Sequence, residues 1–440
     1  MKRVIFILAA VFVFAVVFVF GYPSLAGRLR LERAYVATHG HIDEFLIAPN
    51  GEMFPAGYKG LPKNFSSWTL PSGVSIATLK QAGSIVATPN EKYLYVAGCA
   101  RDRTRIVHGR HPILEEIAAY HVVGGIPHML GSPTQIDDCL TGSAGPYQTL
   151  AVSRNGAFLF ATGGLTYHDT GDPVSAAVRS FTIATNGALT PISTVMLTGS
   201  FGGSYTALDS TGEWLFVAGI IARYQAPLEL TEFHVAADGT LTLAATTSFA
   251  GRLDAFSGLA SVAQRPLLYV AGEKISDAGV KTRVFGYRIG ADGALTPVPG
   301  AAITNTGLTP TAQPNYASLA IAPSGRLLYV LGSMASRAGG ALIQSYAIGE
   351  HGRLRVAHGS TAERKAVMQP QMIVSDPTGR FLYEMDLSAG FMGAPAIVDF
   401  RTFPNGAIVW NTHACLGGGP DEIAFCGRTP ALTGPIVILK

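Results

Sequence analysis

Several groups of residues in this chain have types and spacings that could do chemistry. Glu273, with Lys274 and Asp277 close behind it, offers a carboxylate that could accept or hold a proton. The alternative is a loop carboxylate neutralised by Lys274 or Arg283. Arg101, Arg103, Arg105 and Arg110 form the densest basic cluster, and Arg suits carboxylate or other anionic groups because its guanidinium binds them in bidentate fashion. Asp102 lies among these arginines, as it would in a solvated connection between strands. His39, His41 and Asp43 alternate, so they could share one strand face and supply a nitrogen and oxygen donor set for zinc or copper. A polar connection between strands is the competing reading, and it applies equally to His108 and His111. Asn64-Phe65-Ser66 fits a glycosylation acceptor.

Four cysteines, Cys99, Cys139, Cys415 and Cys426, are candidates for two disulfides. Cys415 and Cys426 flank a Gly-rich loop and suit a local bridge, which would leave Cys99 and Cys139 as the second pair. Spacing alone leaves all three connectivities open. No Cys-x-x-Cys, Gly-x-Ser-x-Gly, His-Glu-x-x-His, phosphate-binding Gly-Lys loop or dinucleotide fingerprint occurs. No cofactor is expected.

The elements that must carry these residues announce themselves as a repeat. A Leu-aromatic-Val type strand core recurs with its aromatic at Tyr35, Tyr95, Phe160, Phe216, Tyr269, Tyr329 and Tyr383. The spacings are 60, 65, 56, 53, 60 and 54 residues, so seven copies tile residues 28–440. Before each core stands a short strand and a tight turn, as in LAVSRNGAFLF and MIVSDPTGRFLY. After it come two alternating strands joined by Asn-Gly or Asp-Gly, the pairs that favour two-residue hairpins. Four short antiparallel strands per copy describe a propeller blade, and seven blades close a ring without long exposed edges. The expected fold is therefore all-β: a single seven-bladed β-propeller over residues 28–440. The first copy lacks the strand that should precede Tyr35, and the chain ends in the apolar run Pro435 to Leu439, which could complete that blade and shut the ring. Gly57 to Gly83 and Ile126 to Tyr147 depart from the repeat and read as long surface loops.

Ahead of the repeat, Lys2 and Arg3 precede an apolar run from Val4 to Phe20, and Ser24-Leu25-Ala26 gives a small-x-small pattern. Residues 1–26 read as a cleaved secretory signal or, since the run of 17 is long for that role, as a retained anchor through residues 4–20. Either way the propeller is expected in the periplasm or outside the cell. The membrane then enters only through this segment if it is uncleaved.

Composition agrees. Only 14% of residues are charged, the formal net charge is +3, and 51 residues are glycine. Long amphipathic helices need a charged outer face, and a nucleic-acid partner needs a basic stripe; neither is present.

The strand-turn-aromatic-Val pattern with a downstream Asp-Gly-Ala-Leu-Thr turn resembles the seven-bladed lactonase-family propellers, which include 6-phosphogluconolactonase and the muconate-cyclising enzymes. The resemblance spans roughly residues 30–440 and resides in blade-building positions. It implies a lactone hydrolase site at the mouth of the central channel. Enzyme members carry a Pro-His-x-His element where this chain has Gly145-Pro146-Tyr147-Gln148, keeping Pro146 alone. An Arg-His pair of the family corresponds to Ser257 and Gly258, and an Asn-Arg-Gly to Leu331-Gly332-Ser333. The family glutamate is retained as Glu273. Two functions are thus expected. One is an exported scaffold binding a small ligand, glycan or protein, with Arg101, Arg103, Arg105, Tyr147 and Gln148 as candidate contacts. The other is a lactone hydrolase built around Glu273.

Overall fold

The computed structural model describes a strand framework between Glu32 and Leu439. Outside the described residues lie 1–31, 39–40, 52, 56–73, 76–78, 102–112, 139–148, 164–175, 198–200, 222–227, 277–278, 306–307, 310–318, 335–340, 365–369, 387–395, 411–435 and 440. All described elements are strands, and they form seven antiparallel sheets, each of four main strands. In blade 4 these are Phe201–Leu208, Trp214–Ile221, Glu229–Val235 and Leu241–Ser248, ordered from the ring centre outward. Blade 5 repeats the order with Ala255–Ser261, Leu267–Ser276, Gly279–Ile289 and Leu295–Pro297, plus a short extension at Ile303–Asn305. Among the described residues no helix is long and apolar enough to cross a membrane.

The ring closes as the sequence suggests. Ile436–Leu439 pairs antiparallel with Glu32–Thr38, setting Ile438 opposite Ala34 and Val437 opposite Tyr35. The last strand of the chain thereby becomes the innermost strand of the first blade.

One expectation is corrected. Of the two stretches that depart from the repeat, Ile126–Met129 and Thr134–Asp138 are outer strands of blade 2, and Leu79–Ala87 is its innermost strand. The outer edge of this blade is split by Leu130 to Pro133, where Gly131 takes a positive φ of 63°, so the alternation breaks while the pairing continues beyond it.

The described apolar core is not central. It consists of seven clusters, each lying between two neighbouring blades. The recurrent aromatics sit in these seams, and Tyr35, Tyr95, Phe160, Phe216, Tyr269 and Tyr329 are fully buried. Their hydroxyls have a further task. Tyr35 donates to the carbonyl of Gly125 at 2.8 Å, Tyr95 to Gly187 at 3.0 Å, Tyr269 to Gly352 at 2.7 Å and Tyr383 to Gly51 at 3.0 Å. In each case the acceptor is the turn glycine of the next blade's outer hairpin. In blade 6, Ser345 makes the corresponding bond to Gly406 at 2.5 Å.

Two residues before each aromatic, the side chains of Arg33, Tyr93, Phe158, Trp214, Leu267, Leu327 and Phe381 press on those same glycines, namely Gly125, Gly187, Gly239, Gly293, Gly352, Gly406 and Gly51. A Cβ on any of the seven would come within 3.0 Å of the neighbouring blade. Five of these seven glycines belong to the Asn-Gly and Asp-Gly pairs read as turn formers, and Gly125 and Gly352 follow Gly124 and His351, so the hairpin turns are also the sockets of a sevenfold inter-blade contact.

The other turns at this lower end, between first and second strands, are held by side chains. Asp209 accepts from the amides of Thr211, Gly212 and Trp214 at 3.0, 2.8 and 3.0 Å, and Asp376 does the same for Thr378 and Phe381. Glu91 takes φ 59° in the equivalent turn of blade 2, where blades 3, 4 and 6 use Gly156, Gly212 and Gly325. The upper end carries the links from second to third strand and from one blade to the next.

Candidate functional site

Glu273 stands near the upper end of the second strand of blade 5. It pairs with Ala255 on the innermost strand and with Thr282 on the third. The carbonyl of Glu273 accepts from the amide of Asp254 at 2.7 Å, which ties the incoming blade link to this strand end. Gly272, just before it, is packed so closely that a Cβ would meet the Ala255 carbonyl at 2.3 Å and Leu253 at 2.5 Å. The backbone carrying Glu273 is thus fixed on both sides.

Charge around it is arranged in pairs. Lys274 Nζ lies 2.8 Å from Asp254 Oδ1, so the ammonium next to Glu273 in sequence is engaged with a different carboxylate. Arg283 donates to the Arg252 carbonyl at 3.1 Å, and Arg252 donates to the Tyr287 hydroxyl at 3.2 Å. Glu273 is left with burial and the negative charge of Asp254, which together push its carboxyl up from the usual 4.5 to about 7, burial being the larger cause. A carboxyl in that range can hold or release a proton near neutrality.

Blades 3 and 4 supply hydroxyls from their first and second strands. Thr149 and Thr162 lie 2.7 Å apart in blade 3, and Thr206 of blade 4 reaches Thr149 at 3.2 Å across the seam. Beside Thr206, Tyr205 is buried at 3% exposure, and the Glu273 charge adds to the burial that raises its phenol.

The other residues singled out in the sequence fall differently. Arg103, Arg105, Tyr147, Gln148, His39, Cys139, Cys415 and Cys426 lie outside the described residues, as do Asp102, Arg110, His108, His111 and the Asn64 sequon. Arg101 ends the second strand of blade 2, with Cys99 two residues earlier. His41 and Asp43 open the third strand of blade 1. His41 and Asp43 share the strand His41–Ile47. No group of three metal-ligating residues occurs among the described residues. Asp254, Arg252 and Tyr205 were not anticipated.

Burial of Glu273 has a measurable consequence for stability. Its folded pKa lies above the unfolded value, so between about pH 4.5 and 7 the folded state binds the extra proton, and stability falls as pH rises through that window. Glu273→Gln, which cannot ionise, is expected to be more stable than the parent by about 1–2 kcal/mol at pH 8, after allowance for solvent screening, with no gain at pH 4.5. Urea denaturation at the two pH values checks this; an equal difference at both would refute the assignment.

These features define a class of fold, a closed seven-bladed β-propeller. Among solved structures, a protein from Lactobacillus plantarum aligns with a TM-score of 0.57 at 15% identity, covering 93% of this chain and 100% of its own. A putative 6-phosphogluconolactonase from Bacteroides uniformis gives 0.56 at 15% identity over 87% of this chain and 96% of its own. The periplasmic gluconolactonase of Pseudomonas aeruginosa gives 0.54 at 16% identity over 86% of this chain and 94% of its own. At these identities the likeness is one of fold. No family model and no curated protein sequence matches the chain.

Proposed function

We propose that this protein is an exported propeller that binds a ligand at its upper end, with Glu273 in the binding site. The observation that carries the proposal is a carboxyl on the backbone-fixed upper end of blade 5, raised to about 7, with the adjacent Lys274 ammonium paired to Asp254. Such a group is available to a ligand rather than committed to the scaffold. Export is supported by the amino-terminal run Val4 to Phe20 behind Lys2 and Arg3, and by the periplasmic relative in the fold comparison. Arg101, Arg103, Arg105, Tyr147 and Gln148 belong to the same proposal, because the strand ends that flank them point to the upper end. The paired disulfides and the weaker metal set of His39, His41 and Asp43 remain sequence-based expectations.

A second reading, lactone hydrolysis, is favoured by one observation: a carboxyl near 7 is tuned for general-base attack by water at neutral pH. Against it, a hydrolase also needs donors for the developing oxyanion. Among the described residues, Lys274 pairs with Asp254, and Arg252 and Arg283 donate to the Tyr287 hydroxyl and the Arg252 carbonyl rather than to Glu273.

The purified propeller, tested against a panel of sugar and aryl lactones, separates the two readings. Binding without turnover, weakened in Glu273→Gln, is the expected result. Turnover that disappears in Glu273→Gln overturns the binding-only reading in favour of the hydrolase. Binding or turnover unaffected by Glu273→Gln removes Glu273 from the site.

A further inference from the structure

The lower end of the ring carries a charge pattern that the upper site does not use. On blades 5, 6 and 7 the lower turns and the strand ends beside them hold Arg265, Arg288, Arg326, Arg353, Arg380 and Arg401. Arg265 is half-buried and the other five are exposed. The exposed carboxylates at this end of the three blades are Asp292 and Glu350, while Asp376 is buried and bonded within its own turn. Six positive charges against two negative ones leave a surplus of four on three adjacent blades, more than the +3 of the whole chain. Blade 4 presents the opposite sign at the same level, with Glu213 and Asp238 exposed. Among the described residues none of the six arginines forms an ion pair.

This basic arc adjoins the place where the chain enters the ring. Glu32 opens the second strand of blade 1 at the lower end, opposite Ile47, and Arg380 of blade 7 donates to the nearby Pro49 carbonyl at 3.5 Å. Eleven residues separate Glu32 from Phe20, the end of the apolar run, and Arg28 and Arg30 lie among them. Even fully extended, that connection spans at most about 40 Å. The run Val4 to Phe20 is therefore tied to the lower end of the ring and not to the upper.

On the other side of blade 1 the lower end turns apolar. The outer hairpin of blade 2 presents Val123 and Ile126 on either side of Gly124-Gly125, each 51% exposed. The hairpin tip is held against blade 1, where the Tyr35 hydroxyl donates to the Gly125 carbonyl at 2.8 Å and Arg33 packs on Gly125. The other large apolar side chains exposed among the described residues, Met196, Leu243, Val356 and Val409, lie along outer strands instead of at a turn.

Unpaired arginines on one arc call for an anionic partner, and a rigid aliphatic tip at the same level calls for an apolar one. A nucleic acid answers the first need and leaves Val123 and Ile126 in water. An anionic bilayer answers both, with headgroups for the arginines and an interface that takes up aliphatic side chains. We infer that the lower end of the propeller docks on an anionic lipid surface, the arc of blades 5–7 over the headgroups and the Val123–Ile126 tip in the interface, with Val4 to Phe20 retained as the anchor. The upper end then faces away from the bilayer. This docking is independent of what the upper end binds.

The test uses the full chain reconstituted into lipid nanodiscs, either phosphatidylcholine alone or phosphatidylcholine mixed with phosphatidylglycerol. Hydrogen–deuterium exchange is read by mass spectrometry. The lower turns of blades 2, 5, 6 and 7 are expected to exchange at least about fivefold more slowly on the anionic discs, since one arginine near such a surface strengthens association about that much. The upper link from Phe249 to Asp254 should exchange alike on both. Salt at about 1 M, where charges are felt over only about 3 Å, should remove the difference. The triple variant Arg288→Gln, Arg326→Gln, Arg401→Gln should lose most of the protection while its melting temperature stays near that of the parent. The double variant Val123→Ser, Ile126→Ser should lose protection at blade 2 on the same discs.

Equal exchange on the two kinds of disc, or protection centred on the upper end, overturns the inference. A short DNA duplex that protects the lower turns as well as the anionic discs do, with the Val123→Ser, Ile126→Ser variant unaffected, replaces the lipid surface with a soluble polyanion.

Discussion

Deletion of residues 435–440 is expected to abolish the cooperative fold rather than merely loosen one end. Those residues include Ile436–Leu439, the innermost strand of blade 1, whose Ile438 and Leu439 are 8% and 6% exposed. Val437, Ile438 and Leu439 pack into the clusters that join blade 1 to blades 2 and 7. Uncovering three aliphatic side chains forfeits about 4–8 kcal/mol, which rivals the whole stability of a typical domain of about 5–15 kcal/mol. The deletion also bares the edge of Glu32–Thr38, a strand with Ala34, Tyr35, Val36 and Ala37 all buried in the intact ring. An uncovered apolar edge invites pairing between molecules. The expected observation is loss of the thermal transition together with oligomers on size-exclusion chromatography. A monomer melting within a few degrees of the parent would show that the ring does not depend on this strand.

Gly51→Ala should have the next largest effect, at the same seam. Gly51 has φ 92°, its carbonyl receives the Tyr383 hydroxyl at 3.0 Å, and an added Cβ would lie 2.3 Å from Phe381 Cε1. The left-handed backbone costs an alanine about 1–2 kcal/mol, and forcing Phe381 aside costs about 1–3 kcal/mol more. Gly212→Ala is the matched control, since Gly212 has φ 84° but nothing within 4 Å of its added Cβ. Its loss should be confined to the backbone contribution of about 1–2 kcal/mol. Chemical denaturation of both variants isolates the inter-blade contact as the difference. Equal losses would mean that the glycines serve the turns alone.

Much of this fold was legible in the sequence because its signals are local and repeated. The aromatic at the same place in seven strand cores, the Asn-Gly and Asp-Gly pairs, and the missing strand before Tyr35 balanced by a surplus at Ile436–Leu439 each follow from short-range pattern. Blade 2 was harder, because its outer edge is broken at Gly131 and its strands resume without a turn pair between them.

The contacts between blades were not legible. Nothing near Gly187 in sequence says that Tyr93 will press on it and Tyr95 will bond to it from the preceding blade. For the site, Glu273 could be found because it ends a recognisable strand core. Asp254 was hidden because it lies in a link between blades, and only the folded ring sets its amide against Glu273.

The chain of tyrosine-to-glycine bonds also has a temporal side. Tyr35, Tyr95 and Tyr269 reach partners 90, 92 and 83 residues away, whereas Tyr383 must find Gly51 across 332 residues. Bringing the ends of the longer span together costs only about 1 kcal/mol more in chain entropy. The larger handicap is order of arrival. Each ordinary seam can zip as soon as the following blade emerges from the ribosome, but the last seam must await both blade 7 and the terminal strand. Until then blade 1 is a three-stranded fragment with one naked flank. The edges that this last seam covers, Glu32–Thr38 and the flank of blade 7, are the ones open to pairing with a neighbour until the terminal strand is in place.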